Sequence, residues 1–283
     1  MEESRAGSTR PGLSPVLLVL FVDLVGFSII FPLFPAILDS YRGDPWMQSL
    51  LEALRSLSPE IDDIRLVTLF GGALGSLYAV LQFLLSPFWG SLSDRIGRRR
   101  VLLITVTGNL FAALLWAFSG TFALLVLSRI LAGIAAGNIS TATAAVADLT
   151  PGPDRARGMG LVGASFGLGF ILGPAIGGFA YSWQLVEPAV SVPGLALHPF
   201  SGPAIIALAI AGVNWLLVIF LLSESLPPEK RGQHPAQRSF NPFTQLKRIN
   251  LPGVARTNLM YFAYWSAFSS VEFTITFFAT EKL

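Results

Sequence analysis

Three ionisable residues of this 283-residue chain, Asp23, Arg129 and Glu272, lie in long stretches that otherwise lack charge. If such a stretch crosses a membrane, an ionisable side chain inside it is costly to keep and usually belongs to a functional site. A carboxylate there can bind and release a proton, and a neighbouring guanidinium favours its charged form. We therefore expect these three residues to form a proton-coupling or substrate site.

Asp23 and Arg129 are expected at similar depths in the membrane. A helix rises about 1.5 Å per residue, which places Asp23 about 13 Å below one face and Arg129 about 12 Å below the other. An ion pair between them would lower the cost of burying both charges. Both a purely structural pair and a proton or substrate site fit this pattern.

Glu272 lies in the last apolar stretch, among the aromatic residues Tyr261, Phe262, Tyr264, Trp265, Phe268 and Phe273. Such residues often form a belt at the lipid interface. If their helix instead faces a cavity, Glu272 is a second protonatable group and the rings form an apolar substrate surface. The pattern leaves both interpretations open.

The composition makes lipid the expected solvent for most of the chain. Only 13% of the residues are charged and 53% are apolar, whereas soluble domains carry about 25% charged residues. This argues against a soluble globular enzyme, a disordered chain and a collagen-like fibre. The net charge is +2, and the basic residues occur in short runs between apolar stretches, so nucleic acid is not an expected partner. The absence of cysteine excludes disulfides and thiolate metal sites.

The stretches between charges predict seven spans, because about 20 apolar helical residues cross a bilayer core of about 30 Å. They are residues 11–39, 66–93, 101–147 (two crossings around a turn at 119–121), 158–186, 204–223 and 257–280. The polar segment at 40–65 is expected to carry a short amphipathic helix around 47–57. The first span is expected to be retained, because no small-residue cleavage site follows its apolar part.

The distribution of Lys and Arg predicts a cytoplasmic amino terminus. With that orientation, fourteen basic residues lie in inner segments and four in outer ones, as the positive-inside rule requires. The predicted organisation is a cytoplasmic amino terminus (1–13), a six-span bundle (14–223), a central cytoplasmic loop (224–256) and span seven (257–283). Plasma membrane and internal membrane both remain open.

The inner loop after span two carries a motif, G-S-L-S-D-R-I-G-R-R-R, from Gly90 to Arg100. Positive-inside clustering explains its arginines but neither Asp94 nor the glycines that flank a tight turn. The segment resembles the signature of the major facilitator superfamily. The resemblance implies an inner-face charge cluster that stabilises the outward-facing state, with Asp148 as a natural third charged member. The predicted gate residues are Gly90, Asp94, Arg95, Gly97, Arg98 and Asp148.

Span five contains small residues at helical spacing, which let two helix backbones approach closely. They are Gly160, Gly169, Gly173, Pro174, Gly177 and Gly178. A plain packing face explains such a pattern. The spacing also resembles the superfamily's antiporter signature, which is associated with exporters, and we favour that interpretation.

Span four adds Arg129 followed four residues later by Gly133, similar to the superfamily's fourth-span motif, whose arginine is implicated in proton coupling. Together these motifs resemble the tetracycline efflux antiporters, and most of all their eukaryotic tetracycline transporter-like branch. The resemblance implies proton-coupled export of amphipathic organic anions or drugs by alternating access. The proton gradient would supply the energy, and no cofactor is expected.

The expected fold is therefore an all-α membrane protein of the major facilitator type. It would comprise a complete amino-terminal six-helix bundle and the first helix of the carboxyl-terminal bundle, as a fragment of a twelve-span transporter. The alternative is a non-transporting membrane scaffold, or a half-transporter that works only by assembling with another chain.

No enzymatic activity is expected. The residues around Ser165 match the nucleophile-elbow pattern G-x-S-x-G, which needs a strand–turn–helix and a nearby histidine base. Ser165 lies in mid-span, and the two histidines, His198 and His234, fall in loops on opposite sides. We predict no catalytic residue and no metal site. The expected partners are a small molecule and the lipid bilayer, and the oligomeric state stays open.

Overall fold

The computed structural model of the chain describes residues 12–57, 63–150, 152–182, 196–232 and 253–282. Within these ranges, the side chains of 63–70, 272, 273 and 275–282 are not described. The predicted role of Glu272 therefore lies outside the described side chains, as does most of the central loop.

All the regular elements in the described part of the chain are helical. The α-helices are α1 (Leu13–Ser28), α2 (Phe34–Ser40), α3 (Pro45–Leu57), α4 (Asp63–Ile96), α5 (Arg98–Ala117), α6 (Phe122–Ala135), α7 (Gly137–Leu149), α8 (Arg155–Tyr181), α9 (Ser201–Phe220) and α10 (Val254–Lys282). Short 3₁₀ turns occupy Phe31–Leu33, Gly152–Asp154 and Pro228–Lys230. The prediction of an all-α membrane fold is confirmed.

Six segments of the described chain are long and apolar enough to cross a membrane. Span one comprises α1, a 3₁₀ turn and α2, and span four comprises α6 and α7. The remaining four are α4, α5, α8 and α9. Helix α10 covers predicted span seven as one helix of 29 residues, but it is not among these six.

The predicted amphipathic helix of the 40–65 segment is α3, and one aspartate begins it. Asp44 Oδ1 accepts hydrogen bonds from the backbone N–H groups of Trp46 (2.9 Å) and Met47 (3.3 Å). Its other oxygen accepts from the N–H of Phe122 at the first residue of α6 (3.1 Å). A carboxylate is favourable at a helix amino terminus, because it satisfies free N–H groups and complements the dipole. Asp44 thus joins α3 to the start of span four.

Helix α1 is central to the bundle, since it packs against α7, α8 and α9. Two apolar clusters surround it. One contains Val16 and Leu20 of α1 with Leu102 of α5, and the other contains Ile29, just after α1, with Trp116 of α5. Asp23 lies between Leu20 and Leu24 of the first cluster, so its polar contacts interrupt an otherwise apolar interior.

A ladder of glycines lets α8 lie directly against α1. A Cβ on Gly169 would come within 2.7 Å of Leu24 Cβ, and one on Gly173 within 2.7 Å of the Val25 carbonyl oxygen. At Gly177 an added Cβ would overlap the Ile29 carbonyl. These glycines are four residues apart and so share one helix face. The Ser28 hydroxyl fixes the contact by donating to the Gly169 carbonyl at 2.9 Å.

The other residues of the span-five motif lie away from this contact. A Cβ added to Gly160 or Gly178 would meet no atom within 4 Å, because these residues are off the i, i+4, i+8 face. Pro174 lies inside α8, which runs through it from Arg155 to Tyr181. Three of the five predicted glycines thus form the α1–α8 contact.

Buried polar groups join the helix ends at the opposite end of the bundle from the Gly90–Arg100 loop. The Tyr41 hydroxyl donates to the Ser119 carbonyl, and His198 Nε2 lies 3.1 Å from the Trp116 carbonyl. His198 Nδ1 accepts from the Phe200 N–H at 3.2 Å, which leaves the proton of the neutral ring on Nε2. Burial lowers the pKa of His198 and raises that of Tyr41 to about 12, so both groups are neutral at neutral pH.

The glycine ladder gives a prediction with an internal control. We expect Gly177→Ala to lower the free energy of unfolding relative to Gly178→Ala by about 1–3 kcal/mol, because only the first substitution forces α1 and α8 apart. The gain in helix propensity from glycine to alanine is the same at both positions and cancels in the comparison. Thermal unfolding of the two purified variants measures the difference, and equal stabilities would contradict the packing role of Gly177.

Candidate functional site

The carboxylate of Asp23 is bound by three asparagines from three other helices. Asn109 of α5 and Asn214 of α9 donate to Oδ1 at 3.2 and 3.3 Å, and Asn138 of α7 donates to Oδ2. A buried carboxylate is costly unless it is hydrogen-bonded, and each bond to a charged group contributes about 1.5–3 kcal/mol. Asp23 therefore fixes the relative positions of α1, α5, α7 and α9.

The three asparagines were not among the residues predicted for a site from the sequence. Amides carry no charge that interrupts an apolar stretch, so they did not stand out as Asp23 and Arg129 did. Asn138 and Asn214 are only 3% and 1% exposed. A signal was present nonetheless: single amides inside spans usually hydrogen-bond to a neighbouring helix.

A break in span four places Asn138 beside Asp23. Helix α6 ends at Ala135 and α7 begins at Gly137. The indole of Trp89 fills the space beside Gly137, where any Cβ would overlap it, and its N–H donates to the Ile134 carbonyl at 2.7 Å. In an unbroken helix that carbonyl would accept from residue 138. Trp89 therefore satisfies a backbone group that the break releases.

Asp23 and Arg129 line one cavity of about 70 Å³, together with Phe27, Tyr78, Asn109 and Trp116. Their predicted depths are thus consistent with a shared site. The prediction of a direct ion pair between Asp23 and Arg129 was wrong, because no such pair occurs among the ion pairs of the described residues. The three amides hold the Asp23 carboxylate, while the Arg129 guanidinium lies over the Trp116 ring, 5.0 Å from its centroid.

A second polar site lies at the other predicted location, the loop between α4 and α5. The Arg98 side chain lies between two carboxylates, 2.8 Å from Asp94 Oδ1 and 2.9 Å from Asp148 Oδ2, and also donates to Ser93 Oγ at 2.5 Å. Only 9% of the Arg98 side chain is exposed. The structure brings together the three charged residues that the sequence analysis grouped, at the ends of α4, α5 and α7.

Two other members of the loop motif have smaller roles in this geometry. The Gly90 carbonyl accepts a hydrogen bond from Ser93 Oγ at 2.8 Å, so Gly90 supports the serine that contacts Arg98. Arg95 is exposed near the end of α4 and lies outside the described contacts of the cluster.

Glu224, just beyond α9, is a member of this site that the sequence analysis missed. Its Oε1 accepts from the backbone N–H of Arg98 at the start of α5 (2.8 Å) and from that of Leu226 (3.1 Å). Its other oxygen lies 3.6 Å from Arg231 Nη2. The carboxylate is therefore an anion bound at a helix amino terminus. In the sequence it is one acid among several in a charged loop.

Gly97 is required at this site for two reasons. Its φ of +103° is a conformation that side chains disfavour. An added Cβ would also come within 2.9 Å of the Glu224 carboxyl carbon. The motif glycine thus provides both the turn and the space for the carboxylate.

We expect Glu224→Ala to increase hydrogen–deuterium exchange in the first turn of α5 about tenfold or more. The substitution removes a charged acceptor worth about 1.5–3 kcal/mol, and a factor of ten corresponds to about 1.4 kcal/mol. Asp154→Ala is the control, because Asp154 is exposed and its side chain makes no capping bond to α8. Unchanged exchange in the Glu224 variant would show that the contact does not stabilise the turn.

Comparison with known proteins places this geometry in a family. The family profile described as "Major Facilitator Superfamily" matches residues 16–283. "Major facilitator superfamily domain-containing protein 10" of Bos taurus is 33% identical over 307 residues, which cover 100% of this chain and 63% of the relative. "Tetracycline resistance protein, class C" of Escherichia coli is 32% identical over 233 residues, covering 82% of this chain and 49% of the relative.

A solved structure extends the likeness to the fold. The crystal structure of "the human organic anion transporter MFSD10 (TETRAN)" is 34% identical in sequence and superposes with a TM-score of 0.65. The match covers 77% of this chain and 49% of that one. The chain thus spans about half to two thirds of the length of these relatives. The resemblance found in the motifs is confirmed, and the chain belongs to the major facilitator superfamily.

Proposed function

We propose that this chain supplies the proton-coupling bundle of a transporter that exports amphipathic organic anions or drugs in exchange for protons. The observation that carries the proposal is the Asp23 carboxylate, bound by amides from three helices and open to a cavity that also contains Arg129. An ionisable group in a membrane span, on the wall of a cavity, has the position expected for a proton carrier.

Alternating access gives the carboxylate its role. A proton can shift the balance between inward- and outward-facing states only if it binds them with different affinities. The asparagines that hold Asp23 belong to α5, α7 and α9. Relative movement of these helices changes how many amides reach the carboxylate, and hence how strongly it binds a proton.

The inner charge cluster would act as the gate. Asp94, Arg98 and Asp148 join the ends of α4, α5 and α7 through two ion pairs of 2.8 and 2.9 Å. Such a cluster stabilises the state in which these ends stay together, which we infer to be the outward-facing one. With the amino terminus in the cytoplasm, as the basic residues predict, this gate lies on the cytoplasmic side.

The nature of the cargo is inferred from the cavity and the relatives. Aromatic rings and a guanidinium line the cavity, and a relative of known structure is described as an organic anion transporter. The tetracycline resistance proteins support an exporting direction. We expect the proton gradient to be the energy source, with no cofactor. Glu272 is a second candidate for proton binding, by its position in the predicted seventh span.

We expect Asp23→Asn to abolish transport driven by a pH gradient, because an amide cannot carry a proton through the cycle. The assay is gradient-driven uptake of a fluorescent organic anion into liposomes that contain the protein made from its complete reading frame. Asp39→Asn is the matched control, since Asp39 is also in span one but is exposed and paired with Arg42 at the carboxyl-terminal end of that span.

Retained gradient dependence in the Asp23 variant, at a normal level in the membrane, would remove Asp23 from the mechanism. If the wild-type protein transports only after a second chain is reconstituted with it, the half-transporter is the better description. Wild-type liposomes that bind the anion but never transport it would favour a scaffold.

A further inference from the structure

The guanidinium of Arg129 lies in the bundle interior, and no described residue places a counter-charge in contact with it. Its described contacts are the face of Trp116, 5.0 Å away, and the Ser128 hydroxyl, 3.2 Å from Nε. No carboxylate of the described residues is in ion-pair contact with it. A charge kept away from water is costly unless an opposite charge or hydrogen-bond partners compensate it. Among the described residues, no carboxylate pairs with this cation, so the guanidinium is available to bind an anion.

Asp23 lines the same cavity as Arg129, but its carboxylate has other hydrogen-bond partners. Three amides occupy its two oxygens. Moving the carboxylate to Arg129 would break these bonds and leave amides of low exposure without their acceptor. The geometry thus keeps the two charges of the cavity separate.

The walls beside Arg129 fit a flat apolar group. Phe27, Tyr78 and Trp116 provide aromatic surface, while Ala113, Ala132 and Ala211 leave space. Aromatic rings pack well on such walls, and a carboxylate offers two oxygens to the guanidinium fork.

Trp116 adds a second, independent feature. Its side chain is 2% exposed, and its indole N–H has no hydrogen-bond acceptor among the described residues. Buried donors are nearly always satisfied, and an exception calls for an explanation such as an absent ligand. The same ring carries the guanidinium on its face, so an unsatisfied donor and an uncompensated cation occur side by side.

We propose that Arg129 and Trp116 form the head-group subsite for a carboxylate carried on an aromatic or similarly flat apolar body. The guanidinium binds the carboxylate, and the rings of Phe27 and Tyr78 contact the apolar part. This subsite specifies the substrate class of the proposed transporter. It rests on the proposed function only in identifying the bound carboxylate as the transported substrate. Asp23 then handles the proton, while Arg129 handles the anion.

The test is equilibrium binding without any gradient, so it does not depend on transport. The purified chain in lipid nanodiscs is titrated calorimetrically at neutral pH with benzoate and with benzamide, which have the same shape but differ in charge. We expect wild-type protein to bind benzoate at least tenfold more tightly. Arg129→Gln should remove this preference by weakening benzoate binding far more than benzamide binding. Arg129→Lys should retain part of the preference, since lysine keeps the charge without the planar fork.

Two further variants guard against misfolding and non-specific charge effects. Arg42→Gln removes an exposed arginine just after the carboxyl-terminal end of span one and should leave the preference intact. Ala113→Leu fills part of the cavity without changing its charged residues, so it should weaken the binding of both benzoate and benzamide. If Arg129→Gln does not fold, the other two variants test the proposal. A full benzoate preference in Arg129→Lys, or unweakened binding in Ala113→Leu, would then overturn it.

The proposal is overturned if wild-type protein shows no preference for benzoate, or if Arg129→Gln keeps the full preference. It is also overturned if Ala113→Leu binds both ligands as wild type does. A benzoate preference that needs Arg129, in a protein that transports nothing, would uphold this subsite while rejecting the proposed function.

Discussion

The hydrogen bonds to the Asp23 carboxylate are the interaction on which the rest of the structure depends. A carboxylate inside an apolar bundle must be solvated by the protein, and here three helices each contribute one amide. This requirement accounts for the break between α6 and α7, which places Asn138 beside Asp23, and for Trp89, which satisfies a carbonyl that the break releases. It also fixes α1 at the centre, where the glycines of α8 allow close approach.

The two polar sites are connected through the same helices. Helix α5 carries Asn109 in mid-span and Arg98 at its first residue, and α7 carries both Asn138 and Asp148. A change at Asp23 therefore acts on two helices whose ends form the charge cluster. Glu224 extends this connection from the start of α5 to the segment that follows α9. Helix α9 itself carries Asn214. Rigid helices that each carry one group of both sites are a direct physical route for coupling.

Charge and glycine spacing made much of this arrangement predictable. Asp23 and Arg129 stood out because they interrupt apolar stretches, and the Arg98 cluster because one turn motif holds an acid and a base four residues apart. The three asparagines that bind Asp23 are neutral and do not interrupt an apolar stretch with a charge, which is why they were missed. The depth of a residue along its helix follows from the rise of about 1.5 Å per residue. The rotation of the helix about its axis, which decides the neighbour that a side chain faces, does not follow from the sequence. The predicted Asp23–Arg129 pair was therefore wrong, although both residues reach one cavity. Only packing against α1 distinguishes Gly177 from Gly178.

We propose that Asp23 exchanges its proton in step with the binding of an organic anion. Infrared difference spectroscopy on the reconstituted protein measures this directly, through the carbonyl stretch of a protonated carboxyl group. We expect that acidification produces this band in wild-type protein, that Asp23→Asn lacks it, and that adding the anion at constant pH reduces it. A band of equal size in Asp23→Asn, or one that the anion leaves unchanged, would remove Asp23 from this role.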